Sequence, residues 1–174
     1  MPPLRFARVE TSIGSIWVAE TDRGVAAASR SERLEAFLEP LRRRLPGYDA
    51  VPADLDAGWV DAGGLPPVDL RGLSGFDAAV YRVVRSIPAG ETMTYGEVAA
   101  AVGSPLAARA VGNAMGRCPL FPAVPCHRVV RASDGWSGWG GDPRLKRRLL
   151  LAEREGRAAA STASRATDRR RQVR

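Results

Sequence analysis

His127, the single histidine of this 174-residue chain, directly follows Cys126, one of its two cysteines, in Pro125-Cys126-His127-Arg128-Val129-Val130. A thiol becomes a strong nucleophile when ionised, and imidazole is the side chain that accepts a proton near neutral pH. The pair points to nucleophilic chemistry at Cys126 with His127 as its base. Adjacent side chains on a strand face opposite ways, so His127 has to reach the thiol around the backbone or through a water. Two cysteines and one histidine cannot supply a four-ligand zinc site without carboxylates, and no CxxC or HxxxH spacing occurs, so no structural metal is expected. The glycine-rich run Asp134 to Gly141 lacks GxGxxG and GxxxxGK, which excludes a nucleotide-phosphate loop of either kind.

The elements that would hold this pair change character along the chain. Arg5 to Glu10, Ser15 to Ala19 and Val25 to Ala28 alternate like short strands, with turns at Ser12-Ile13-Gly14 and Asp22-Arg23-Gly24, and predict a small antiparallel sheet. Leu34, Phe37, Leu38, Leu41 and Leu45 recur at helical spacing, predicting a helix from Glu32 to Leu45 that is capped by Ser31 and bent or split at Pro40. Pro46 to Leu73 is rich in Gly, Pro and Asp and reads as connecting chain. Beyond it Phe76, Ala79, Val80, Val83, Val84 and Ile87 form a helical stripe ending before Pro88. Thr94 caps a short helix, Tyr95 to Ala101; after a turn at Gly103, Ser104 caps a second that starts at Pro105 and runs to about Met115. The two make a helix-turn-helix, and Val129-Val130 after the cysteine reads as a short buried strand. A last helix is expected from Pro143 to about Glu155.

The blocks Ile87 to Ala99 and Ala107 to Val130, the latter reading AARAVGNAMGRCPLFPAVPCHRVV, resemble in order the O6-alkylguanine-DNA alkyltransferases, the methylated-DNA–protein-cysteine methyltransferase family. The resemblance covers Ser74 to Gly156 well and the N-terminal part weakly. The fold expected is α+β: a small antiparallel sheet in an N-terminal support domain with linker (residues 1–73), then a mainly helical DNA-binding and alkyl-acceptor domain with the helix-turn-helix (74–156). Residues 157–174 are expected as a disordered basic tail.

What the resemblance implies for function is direct-reversal repair: irreversible transfer of the alkyl group from O6-alkylguanine in double-stranded DNA to Cys126, once per molecule, without a cofactor and as a monomer. O4-alkylthymine is a further substrate that it allows. Cys126 would be the acceptor, His127 the base and Tyr95 the hydroxyl donor to the departing base. An acidic partner for His127 is implied at Glu153, counted from Lys146, with Glu155 as second choice. Ala108, Arg109 and Gly112 of the small-residue helix would enter the DNA minor groove, Arg109 filling the gap left by the extruded nucleotide, and Arg128 would also face DNA. Met115, Val129 and Trp139 would line the pocket for the flipped base, where Gly140 offers a backbone amide. At Cys118 the family usually has an asparagine that ties the recognition helix to the active-site turn. A thiol donates weakly, so Cys118 either loosens that hinge or sets a second thiol to protect or compete with Cys126 through a disulfide.

Charge adds little. Residues 157–174 hold six arginines and one aspartate, so they carry +5 of the net +7 and leave the body mildly basic. No run approaches about 20 apolar residues, and Met1-Pro2-Pro3-Leu4-Arg5 opens neither a signal peptide nor an anchor, so no membrane partner and a cytoplasmic location are expected. Two other readings stay open: a non-enzymatic lesion sensor on the same fold, whose relatives replace the cysteine, and a cysteine hydrolase using Cys126 and His127 with turnover.

Overall fold

The computed structural model describes residues 1–138 and 142–171, with side chains as far as 160. The alternating N-terminal segments form β1 (Pro3–Val9), β2 (Ile16–Thr21) and β3 (Gly24–Ser29), paired antiparallel with Phe6 opposite Ala19 and Val18 opposite Ala28. α1 (Leu34–Arg44) follows and lays Phe37, Leu38 and Leu41 on Leu4, Phe6, Ala19, Ala26 and Ala27. No side chain caps it; the Ser31 hydroxyl instead accepts from Arg33 N at 3.3 Å, closing a turn before the helix. Pro40 neither splits nor ends α1. Pro40 and Ala36, one turn back, are both exposed, so the carbonyl that loses its N–H partner faces water.

The stretch expected to be plain linker contains two further elements, β4 (Asp49–Pro52) and the single turn α2 (Gly58–Asp61). β4 joins the free edge of β1 in parallel, giving the order β3-β2-β1-β4, so the sheet is mixed rather than wholly antiparallel. The crossover through α1 brings the chain back to start β4 at the same end as β1, which a hairpin cannot do. Leu55, Ala57 and Asp69 of this stretch are buried. Asp69 accepts from Thr21 Oγ1 at 2.7 Å and pairs with Arg71, tying the segment to β2.

In the second half Ser74 caps α3 (Gly75–Ser86), accepting from Asp77 N at 3.0 Å. The helix buries Ala78, Val80, Tyr81 and Val84, and the Tyr81 hydroxyl donates to Ala114 O at 2.9 Å. β5 (Met93–Thr94) leads into α4 (Tyr95–Ala101), where Thr94 and Glu97 form a reciprocal capping box. α5 (Ala108–Gly116) starts later than expected: Ser104 O accepts from Ala107 N at 2.8 Å, so Pro105 and Leu106 sit in a turn ahead of the helix. β6 (Val129–Val130) pairs in parallel with β5.

α6 (Pro143–Arg171) runs on where an end near Glu155 and a disordered tail were expected. Ala158 to Ala160 and the arginines beyond are strong helix formers, and no proline intervenes. One apolar cluster joins Ile16, Val18 and Val25 of the sheet to Val80, Val98, Val111, Cys126 and Val129. Among the described residues no helix is long and apolar enough to cross a membrane.

Candidate active site

Cys126, His127 and Arg128 form one 3₁₀ turn, all three buried, between the proline-stiffened approach and β6. They do not lie on a strand, so the opposite-faces argument does not apply to them. The approach is pinned from two sides: β3 donates from Ala28 N to Pro119 O at 2.8 Å, and Arg85 Nη1 of α3 donates to Ala123 O at 2.5 Å. The N-terminal sheet thus positions the chain that delivers the cysteine.

Behind the turn lies a hydrogen-bonded carboxylate. His127 Nε2 is 2.8 Å from Glu153 Oε1 on α6, and the same carboxylate accepts from Arg128 Nη2 at 2.8 Å and from Gly90 N at 3.0 Å. Arg128 Nη1 donates to Ile87 O at 2.7 Å. Gly90 has φ +80°, and a Cβ there would stand 3.1 Å from Glu153 O, so a side chain would be strained and crowded where the amide meets the carboxylate. Burial acts to raise the Glu153 pKa, but the hydrogen bonds from His127 and Arg128 outweigh it and hold the group down to about 2. An ionised carboxylate only accepts, so the imidazole carries its proton on Nε2 and keeps a lone pair on Nδ1. Nδ1 is buried and has no partner among the described residues. Burial also pushes the His127 pKa below its ordinary value against the opposing pull of Glu153, which keeps the ring neutral near pH 7.

Arg128 corrects an expectation: at 4 % exposure and committed to Glu153 and Ile87 O, it belongs to the interior of the site and not to a DNA-facing surface. The alternative acid, Glu155, is exposed, whereas Glu153 meets the ring.

Lys146 served in the sequence only as a counting mark, yet it is 2 % exposed. Its Nζ donates to Val129 O at 2.6 Å and to Ser137 O at 3.3 Å, tying the loop after β6 back to the active-site strand. Burial lowers its pKa to about 8. A lysine on the inner face of α6 beside Leu145 and Leu149 was the available signal. The β5–β6 pairing, Met93 opposite Val129, brings Tyr95 at the head of α4 alongside this loop. Gly138, at φ +99°, passes so close that a Cβ would lie 2.5 Å from Tyr95 Oη. Trp139 and Gly140, expected at the base pocket, lie outside the described residues. Val129 is fully buried, and Met115 sits in the core at 2 % exposure.

On the helix-turn-helix, α5 turns Val111, Ala114 and Met115 inward and Arg109, Asn113 and Gly116 outward. Ala108 and Gly112 are half-buried, and Gly112 approaches the Tyr95 ring, 3.9 Å from where a Cβ would sit. Asn113, one turn beyond Arg109, is exposed on the same face. Cys118, two residues past α5, is partly exposed; interaction with its side chain, and then burial, raise the Cys126 pKa well above its ordinary value. Among the described residues no group of three or more His, Cys, Asp or Glu could hold a metal ion.

Residues 75–155 match the family described as 6-O-methylguanine DNA methyltransferase, DNA binding domain. The methylated-DNA–protein-cysteine methyltransferase of Salmonella typhimurium is 34% identical over 160 residues, covering 84% of this chain and 93% of its own. The chain belongs to this methyltransferase family. A second relative, the bifunctional transcriptional activator/DNA repair enzyme Ada of Escherichia coli, is 33% identical over 87% of the chain, which spans 46% of that longer protein. Mycobacterium tuberculosis OGT, solved in complex with DNA, superposes with a TM-score of 0.68 at 33% identity, covering 87% of this chain and 94% of its own. The methyltransferase fold therefore extends through the N-terminal sheet, where the sequence resemblance was weak.

Proposed function

We propose that this protein repairs O6-alkylguanine in double-stranded DNA by direct reversal, taking the alkyl group irreversibly onto Cys126. The observation that carries this reading is the His127–Glu153 hydrogen bond of 2.8 Å within the turn that holds the buried thiol. Glu153 fixes the imidazole and favours its cationic form; Nδ1 then receives the Cys126 proton, by way of a water. Displacement at saturated carbon favours a soft thiolate: the S–C bond forms as the C–O6 bond breaks, and guanine leaves with the electron pair. A proton from the Tyr95 hydroxyl, shared with the leaving base, lowers that barrier. The product is a thioether, and no group in the chain reverses it, so each molecule acts once and needs no cofactor.

Because Cys126 is buried, the lesion has to leave the duplex to reach it. The small residues Ala108 and Gly112 let α5 approach the minor groove, and Arg109, exposed on its outer face, fills the opened stack. Val129, Met115 and Trp139 would wall the pocket, with the Gly140 amide toward O6. Acting alone in the cytoplasm fits this chemistry, and O4-alkylthymine would undergo the same displacement.

The test is the intact mass, with peptide mapping, after incubation with a duplex carrying one O6-methylguanine. One methyl on Cys126, saturating at one per protein, is the expected result. Lesion binding without mass gain would replace repair by the sensor reading, and released product with unmodified Cys126 by the hydrolase reading.

A further inference from the structure

The two cysteines of the chain are both free and eight positions apart, Cys118 packs against the apolar cluster that holds Cys126, and they differ in access. Cys126 is 1 % exposed, whereas Cys118 is partly exposed and lines a cavity of about 240 Å³ with Ser29, Arg30, Phe121 and Asp142. A small polar solute entering that cavity meets Cys118 first. Pro119, Pro122 and Pro125 stiffen the intervening chain, and Ala28 N and Arg85 hold its carbonyls, so the path between the two cysteines is fixed.

We propose that Cys118 is a reversible oxidation site for peroxides, whose sulfenic acid is resolved by Cys126 as an intramolecular disulfide. In the first step the Cys118 thiolate attacks one peroxide oxygen, the O–O bond breaks, and hydroxide leaves, taking a proton to become water. In the second the Cys126 sulfur attacks the sulfenic sulfur, the S–O bond breaks, and the Cys126 proton leaves with the oxygen as a second water. Two thiols lose two electrons in all and the peroxide gains them. The burial of Cys126 and the opening of the cavity onto Cys118 direct the first attack to Cys118. While the bond lasts Cys126 is unavailable for alkyl transfer, a consequence that rests on the acceptor role proposed above; a dithiol reductant restores both thiols. Unlike a sulfinic acid at Cys126, this state is recoverable.

The full-length protein is treated with a small excess of hydrogen peroxide and analysed without reduction. Trypsin leaves both sulfurs in one peptide, Cys118 to Arg128. A loss of two hydrogens from that peptide is expected, with transfer from O6-methylguanine DNA falling in step with the cross-linked fraction and returning after dithiothreitol. In Cys118→Ser the loss of two hydrogens should disappear, with Cys126 still a thiol or carrying added oxygen. Added oxygen on the native peptide without cross-link, or a cross-link between two chains, overturns the proposal. If the cross-link forms but the reduced protein never accepts an alkyl group, the thiol pair stands and the acceptor assignment fails.

Discussion

The two sides of Cys126 are held by opposite means. Toward α6 a carboxylate accepts hydrogen bonds from His127, Arg128 and Gly90, so ring, guanidinium and backbone each restrain the others. Toward α5 the thiol meets Cys118, whose sulfur is a weak donor and a weak acceptor. The side that holds the imidazole is over-determined, and the side that connects to α5 is loosely tied. Rigidity in this site follows the charge: a buried ion pair is costly unless fully bonded, whereas a thiol pair tolerates displacement.

The largest effect should come from Glu153→Ala, which leaves the buried Arg128 guanidinium unpaired. A loss of about 3–5 kcal/mol by denaturant unfolding is expected, with alkyl transfer slowed by about 100-fold or more. Glu153→Gln separates the two roles by keeping shape without charge. Relative to it, the native protein should show an acid limb: the folded pKa of about 2 lies below the ordinary 4.5, so the unfolded chain binds more protons between them. The Glu153 contribution is then full above pH 4.5 and is lost as pH falls toward 2, and a flat difference between the two proteins across that window would refute it.

Next in size is Lys146→Met, which removes the tie between β6 and the following loop. Transfer should fall about tenfold with smaller loss of stability, since apolar volume replaces a buried cation. Tyr81→Phe removes one buried hydrogen bond to Ala114 O and should cost about 1–2 kcal/mol, read from the unfolding midpoint. The smallest expected effect sharpens the weak side: Cys118→Asn supplies a full amide at the hinge and should speed transfer a few-fold while changing stability by under about 1 kcal/mol. A slower reaction in that variant would mean that the thiol contact, and not its looseness, favours the reaction.

The sequence made legible those parts of the molecule that depend on local pattern. Thr94 announced its cap, the glycine at 103 its turn, and alternation the three N-terminal strands. Counting two turns on from Lys146 reaches Glu153, the carboxylate that lies against the His127 ring, because a helix keeps its face. What stayed hidden depends on long-range partners. Arg128 looks like any arginine beside an active-site motif, and only Glu153, on another element, draws it inward. β4 could not be read because Asp49 to Pro52 has no alternation; the free edge of β1 selects it. Ser31 and Ser104 resemble caps in type, but each helix starts three or four residues later, where packing on the core begins.

α6 also acts as a ruler. Lys146 grips the loop after β6 and Glu153 grips the imidazole, and the seven-residue step from one to the other spans two turns, about 10 Å along the axis. Spacing on that helix therefore sets the geometry around the imidazole and the loop together. A single residue inserted between Arg147 and Ala152 would rotate everything beyond it by about 100° and carry Glu153 off the ring while Lys146 kept its hold. A change that keeps both residues, and every helix-forming residue between them, would still part the imidazole from its carboxylate.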